Sequence, residues 1–338
     1  MTSGAIATGC SQRRGNESLS KAAQYLWSQQ SEDGGFHSGA YGLLRSGQSL
    51  TPFVLVALLD ASDATSLNPR RGVERALAFI KANTNADGAL GLMDDSAADY
   101  PNYATSLAIS AMVKSRSTGY AKAIEPMVAQ LRAQQFSEAN GWKPQDAPYG
   151  GWGMGGSIRR PPEAGHVDLS MTRYALEALR LSGVQASDAV MTRALAYLER
   201  SQNPDGGFYF SPANPETNKA GQSGEGGFTS YGTATADGVL ALRAAGVPNE
   251  DPRVAKAIRW LRDHHKPDRA PGLYKDADRD WESGLRFYYA HAISRVLPDL
   301  PIELPPQAGD GSFRNSNSLV KEDDPLIATA FALYTLAR

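Results

Sequence analysis

Gln202-Asn203-Pro204-Asp205-Gly206-Gly207-Phe208 is the stretch that decides the fold, because variants of it recur along the 338-residue chain. It appears as Gln29-Gln30-Ser31-Glu32-Asp33-Gly34-Gly35-Phe36 and as Asn83-Thr84-Asn85-Ala86-Asp87-Gly88-Ala89-Leu90. It returns as Gln134-Gln135 leading to Asn140-Gly141-Trp142, and as Gln307-Ala308-Gly309-Asp310-Gly311-Ser312-Phe313. Each copy ends an amphipathic helix in Gln or Asn, passes through Asp-Gly or a close relative, and finishes on an aromatic or aliphatic residue. Recurrence at a period of roughly 50 to 65 residues marks a repeat architecture. Glycine takes the left-handed conformation that ends a helix, and Asp tightens the turn by bonding its own downstream backbone. These turns are expected to staple the scaffold.

Between the turns the sequence alternates two kinds of helix. One kind carries apolar residues at i, i+4 and i+7, as in Val73/Leu77/Ile80, Ile124/Val128/Leu131, Val190/Ala194/Tyr197 and Val254/Ile258/Leu261. Such a stripe, with charge on the opposite face, packs on one side only. The other kind is apolar or small nearly all round: Leu50 to Leu59, Tyr103 to Val113, Leu169 to Leu181, Thr229 to Ala245, Leu285 to Val296 and Leu326 to Leu336. Helices of that kind are buried. The expected fold is therefore all-α: an α/α toroid of about six inner helices and five outer helices joined by Gly-rich turns. A sixth outer helix would lie between Pro298 and Gln307, a segment too short and too proline-rich to form one. Either the ring closes imperfectly there, or the helix around Leu19 to Gln30 seals the gap.

Composition bounds the function. A formal charge of −2 and a pI near 6.2 give no basic footprint for nucleic acid. The longest apolar run, Phe53 to Leu59, is too short to cross a bilayer, so the chain as written reads as cytoplasmic. The single cysteine, Cys10, permits no internal disulfide and no multi-cysteine metal site. Its setting, Ala7-Thr8-Gly9-Cys10-Ser11-Gln12, is like the tail of a bacterial lipoprotein signal, which would make the protein an exported lipoprotein. Residues 1–15 are accordingly read as a disordered or truncated signal-like terminus, and 16–338 as a single toroid domain.

The repeats resemble the prenyltransferase and squalene-cyclase family, whose Gln…Gly-Trp/Phe repeats stabilise an α/α toroid. The resemblance extends from about Asn16 to Arg338 and is similar in kind to single-toroid bacterial squalene-hopene-cyclase-like proteins. It is carried also by Tyr41-Gly42-Leu43-Leu44-Arg45-Ser46-Gly47-Gln48-Ser49-Leu50-Thr51-Pro52, by Tyr149-Gly150-Gly151-Trp152-Gly153 and by His166-Val167-Asp168-Leu169-Ser170. Class II cyclases of the family protonate an alkene or epoxide with the middle Asp of Asp-x-Asp-Asp. Here the nearest match is Lys321-Glu322-Asp323-Asp324, which puts Asp323 in the acid's place and Lys321 where the first Asp belongs. A lysine there favours the ionised acid and weakens it as a donor, and acids before Pro325 also make a helix cap. Protein prenyltransferases of the family hold zinc. The substitute ligand set in this sequence is His166, Asp168 and His291, although Asp168 also suits a helix N-cap, and the reading prefers no cofactor.

Inner-helix starts converge at one end of a toroid, so their polar residues meet there. Asp168, Asp237 and Asp323 are the candidate catalytic carboxylates. Trp152, His166, Tyr231, Trp281, Tyr288 and His291 are the candidate ligand-binding side chains. Asp237 is the least ordinary of them, because it interrupts an apolar helix and needs a partner such as His291 or Arg173, or a raised pKa. The long loops Tyr149 to Gly165 and Pro212 to Gly227 could cover the mouth. The implied function is binding of an isoprenoid or similar apolar ligand in a central cavity, with terpenoid cyclase or transferase chemistry. The alternatives are a non-catalytic lipoprotein or protein-interaction scaffold, and an α/α-toroid polysaccharide lyase using Arg159, Arg173 and Arg286.

Overall fold

A computed structural model describes residues 4–61, 67–94, 97–223, 227–274 and 278–338, with side chains described from Gly15 onward except for 93–98. Cys10 and its lipoprotein reading thus fall outside the described side chains. Twelve helices are present among the described residues: α1 (Gly4–Ser28), α2 (Leu50–Asp60), α3 (Arg70–Ala82), α4 (Pro101–Lys114), α5 (Ala121–Gln134), α6 (Leu169–Leu181), α7 (Ala189–Ser201), α8 (Gly232–Ala244), α9 (Pro252–His264), the single turn α10 (Trp281–Gly284), α11 (Arg286–Val296) and α12 (Pro325–Leu336). Two small antiparallel ribbons, β1 (Leu92–Asp94) with β2 (Ala97–Ala98) and β3 (Trp152–Gly153) with β4 (Val167–Asp168), lie in the loops.

The helices α2, α4, α6, α8, α11 and α12 pack side by side in that order, and α12 returns to α2, so the inner ring is closed. Their small and apolar residues explain the position: in α8, Gly232 to Leu242 is buried throughout, because a ring of helices leaves no face for water. The outer helices α3, α5, α7 and α9 bury one stripe each, for example Val254, Ala257 and Leu261 of α9. Residues 298–307 form no helix, as their prolines dictate: 298–300 turn, 301–307 have no regular structure, and Glu303 N–H donates to the Pro267 carbonyl. Helix α1 packs on α12 and completes the outer layer.

Two hydrogen bonds recur at the turns between inner and outer helices, the first at five turns and the second at four of them. In the first, the backbone N–H of the residue ending the phrase donates to an inner-helix threonine Oγ1. The pairs are Phe36–Thr51 (2.9 Å), Leu90–Thr105 (3.0 Å), Trp152–Thr172 (3.1 Å), Phe208–Thr235 (3.0 Å) and Phe313–Thr329 (2.8 Å). In the second, the glutamine amide donates both to its own turn and to the next outer helix. Gln30 reaches the carbonyls of Gly34 and Gly72, Gln135 those of Gly150 and Val190, and Gln202 those of Gly206 and Arg253. Gln307 repeats the pattern with Gly311 and Ser18, so α1 occupies the outer-helix place that follows the last turn. The first helix, rather than an imperfect seam, closes the ring.

The third copy of the phrase requires a correction. Gly141-Trp142 does not occupy the repeat position; Gly150-Gly151-Trp152 does. Gly150 has φ +87°, and a Cβ there would come within 2.1 Å of the Arg193 carbonyl oxygen of α7, so only glycine fits. Trp142 instead stacks edge-on against Phe136, in a small cluster built by the inserted segment between Gln135 and Tyr149.

Candidate functional site

The N-terminal residues of all six inner helices surround one cavity of about 330 Å³. Ser49 and Phe53 come from the start of α2, Tyr100 and Tyr103 from α4, Asp168 and Ser170 from α6, and Tyr231 and Asp237 from α8. Tyr288 of α11 and Phe331 of α12 complete the ring. The last turns of the same helices surround a second cavity at the opposite end, so the inner helices all run in one direction. Of the lining residues, only Phe53 and Phe331 border both cavities, and their rings meet edge to face at 4.9 Å to form the partition.

The first cavity is mainly apolar, with a few polar groups fixed in place. Asp237 is buried in α8. Its Oδ1 accepts from Arg173 Nη1 at 3.0 Å and its Oδ2 from the Tyr288 hydroxyl at 2.8 Å. Burial pushes its carboxyl up to about 6, against the opposing pull of Arg173 and Tyr288. The Tyr288 hydroxyl also meets the Ser170 hydroxyl at 2.7 Å, which fixes the ring across the cavity wall. Arg173 is fully buried, stands 4.3 Å from the Tyr174 ring, and pairs through Nε with Glu177 at 3.3 Å. A buried guanidinium is tolerable because it lies between two carboxylates.

At the mouth, Asp168 caps α6 by accepting from Met171 N–H at 2.8 Å, and its other oxygen meets His166 Nε2 at 2.7 Å. Lys219 lines the same wall with its Nζ 3.7 Å from the centre of the Phe210 ring and 5.6 Å from that of Trp281. Burial lowers its ammonium to about 8, with Asp168 and Asp237 opposing. Lys321 also lines the mouth and donates to the Tyr100 hydroxyl at 3.2 Å. Glu322 is buried on the wall, where it accepts from the N–H groups of Phe287 (2.9 Å) and Tyr288 (2.8 Å) and from Asn315 Nδ2 (2.8 Å). It thereby serves the open donors at the start of α11, and burial raises it to about 7 despite those bonds.

Residues 163–277 match the family model of the squalene-hopene cyclase C-terminal domain, and residues 10–212 match that of the A-macroglobulin TED domain. A drimenyl diphosphate synthase from Streptantibioticus cattleyicolor is 29% identical over 201 residues, covering 59% of this chain and 33% of that protein. The first of these models and this relative support a squalene-cyclase-like family. By the longer match, which spans more than half of its length, the chain belongs to the A-macroglobulin TED-domain family. It spans about a third of the length of the curated relative it matches. Among solved structures, an unsaturated glucuronyl hydrolase specific for heparin superposes with a TM-score of 0.60 at 12% identity, covering 96% of this chain and 95% of the other. A type II terpene cyclase from Scytonema superposes with a TM-score of 0.57 at 12% identity, covering 96% and 98%. The same cyclase with geranylgeranyl dihydroxybenzoate as substrate gives 0.56 at 11%, covering 96% and 97%. At these identities the superpositions show the α/α-toroid fold.

The sequence-based candidates separate within this squalene-cyclase-like toroid. Asp168, Asp237, His166, Tyr231 and Tyr288 line the first cavity, and Trp281 borders its outer cleft beside Lys219 and Phe210. Trp152 does not line it: the indole is fully buried and donates to the Leu131 carbonyl at 2.7 Å, which is the work of a repeat staple. His291 lines the opposite cavity, because it follows Tyr288 by almost one helical turn and so sits farther toward the C-terminal end of α11. Arg173 and Tyr288, not His291, are the partners of Asp237. His166 and Asp168 therefore stand at one mouth and His291 at the other, and among the described residues no three His, Cys, Asp or Glu groups gather as metal ligands. Asp323 stands outside the cavity wall and accepts from the Tyr41 hydroxyl at 2.5 Å. The cap of α12 is Asp324, which accepts from Leu326 N–H at 2.9 Å and from the Ser38 hydroxyl. Arg173 is too deeply buried to line a saccharide groove. Lys219 and Glu322 escaped the sequence reading, since both reach the cavity from loops with no periodic pattern to mark them.

Proposed function

We propose that the cavity at the N-terminal mouth binds an apolar terpenoid chain and that Asp237 is its proton donor. The observation that carries this reading is a buried carboxyl, raised to about 6, on the wall of a cavity lined by Phe53, Tyr103, Tyr231, Tyr288 and Phe331. Desolvation keeps part of the population protonated near neutral pH, and Arg173 stabilises the carboxylate left behind. In the proposed step the Asp237 proton passes to one alkene carbon or to an epoxide oxygen. The electron pair of the alkene, or of the breaking C–O bond, leaves a cation on the adjoining carbon. A further alkene of the same chain then attacks it, and loss of a proton from the last cation completes the balance. Aromatic faces stabilise such cations, and a dry cavity keeps water from quenching them. Lys219 and Lys321 at the mouth suit an anionic end on the chain, in keeping with a relative named for making a terpenoid diphosphate.

The test is to incubate purified protein with squalene, oxidosqualene and farnesyl and geranylgeranyl diphosphates and to analyse products by gas chromatography with mass detection, after dephosphorylation where needed. A cyclised product is expected from wild-type protein. Asp237→Asn, which keeps the shape but has no carboxyl proton, should lower its formation by at least about a hundredfold, the usual scale for loss of a general acid. Because only the protonated acid reacts, the wild-type rate should fall as pH rises above about 6. Turnover of an unsaturated uronic saccharide instead, with none of the terpenoids converted, would overturn the reading and favour the hydrolase-like alternative.

A further inference from the structure

We infer that the C-terminal mouth of the ring is a second binding site, for a phosphate-type anion. Nothing in this inference depends on the chemistry proposed for the first cavity. The second cavity has a volume of about 560 Å³, and Lys114, Arg180, Arg243, Arg295 and Arg338 line it. Two carboxylates, Asp60 and Glu177, face these five cations. Both are already engaged: Asp60 with Lys114, and Glu177 with Arg295 at 2.8 Å and with Arg173 from behind.

Arg180, Arg243 and Arg338 have no carboxylate partner among the described residues. Their hydrogen bonds go to neutral acceptors: Arg180 to the Val184 carbonyl, Arg243 to Asn249 Oδ1 and the Val296 carbonyl, and Arg338 to the Ser294 carbonyl and the Tyr334 hydroxyl. A guanidinium has five N–H donors, so each keeps at least one to offer. His291 on the same wall is buried, meets the Tyr334 ring edge-on and the Phe331 ring at a tilt, and has no partner for Nδ1. Burial first, and then the charges of Arg173, Arg295 and Arg338, disfavour its protonation.

A helix C-terminus attracts cations by itself, but that attraction is confined to the last turn. It explains single arginines near carbonyls and leaves unexplained a half-open cavity ringed by three guanidiniums without counter-charge. Planar guanidinium forks match the tetrahedral oxygens of phosphate, and several uncompensated charges favour a polyanion over a monocarboxylate. The apolar wall beside them, with Val56, Leu181 and Leu240, has room for the organic part of a phosphate ester.

The experiment titrates inorganic diphosphate into the full chain at low salt, by calorimetry, while the imidazole resonances of His291 are followed by nuclear magnetic resonance. Saturable binding with a shift of the His291 signals is expected. Arg180→Gln and Arg338→Gln, both at exposed positions where folding is not at stake, should each weaken binding about tenfold, on the scale of one charge-assisted hydrogen bond. Sedimentation with vesicles of phosphatidic acid against phosphatidylcholine separates a lipid headgroup from a free ion. Binding to either source that weakens in both variants supports the site. Binding that is absent, or that ignores both variants and disappears in Lys219→Gln at the other mouth, overturns it, leaving the arginines as partners of the helix ends only.

Discussion

Glu322 shows how one carboxylate can serve the fold and still carry a functional signature. It bonds the first N–H groups of α11, which a helix start would otherwise leave open, yet burial raises it from 4.5 to about 7. The folded state therefore binds its proton more tightly than the unfolded chain does. The resulting stability is present in full below pH 4.5 and is lost as pH rises through about 7, a component on the order of 3 kcal/mol. Glu322→Gln should remove that slope, so urea denaturation at pH 5 and pH 8 should show a smaller difference for the variant than for wild type. The position was not legible as more than part of a degenerate Asp-x-Asp-Asp motif, because the acceptor's partners lie thirty-odd residues earlier in another helix. Asp237 was legible, since a carboxylate inside an apolar helix needs a reason wherever the helix goes. Its partner was harder to read: Arg173 and His291 looked equal in sequence, and only the rise along α11 separates them.

At the scale of the element, the inner and outer helices were readable because burial imposes its own periodicity on the sequence. The threonine that receives each turn was not. Its separation from the turn residue is 15, 15, 20, 27 and 16 residues in successive copies, as loops of different length intervene. The same variability explains why Gly141-Trp142 passed for a repeat turn: an insertion moved the true turn to Gly150-Trp152. Thr235 gives the measurable case. Its hydroxyl accepts from Phe208 N–H and donates to the Tyr231 carbonyl, all within the core. Thr235→Val keeps the shape and strands a buried donor, which should cost about 1–3 kcal/mol. A midpoint shift in thermal or urea denaturation smaller than a few tenths of a kcal/mol would show that the turn does not depend on this bond.

The whole molecule joins its first helix to its last. Gln307 addresses Ser18 as Gln202 addresses Arg253, so α1 is held in its outer position by the same kind of bond that holds α3, α7 and α9. An open repeat array has terminal units that fray first and unfolds in stages as its nearest-neighbour couplings fail. A circle has no terminal unit. Opening it anywhere removes two neighbours at once and exposes the interior from both mouths, so partial melting gains little. The chain should therefore unfold as a single cooperative unit despite its modular sequence, with the calorimetric and van't Hoff enthalpies in agreement. Deleting α1 should lower the midpoint of that transition without splitting it, since it uncovers α12 and leaves the Gln307 amide without the Ser18 carbonyl while α12 on α2 keeps the inner ring closed.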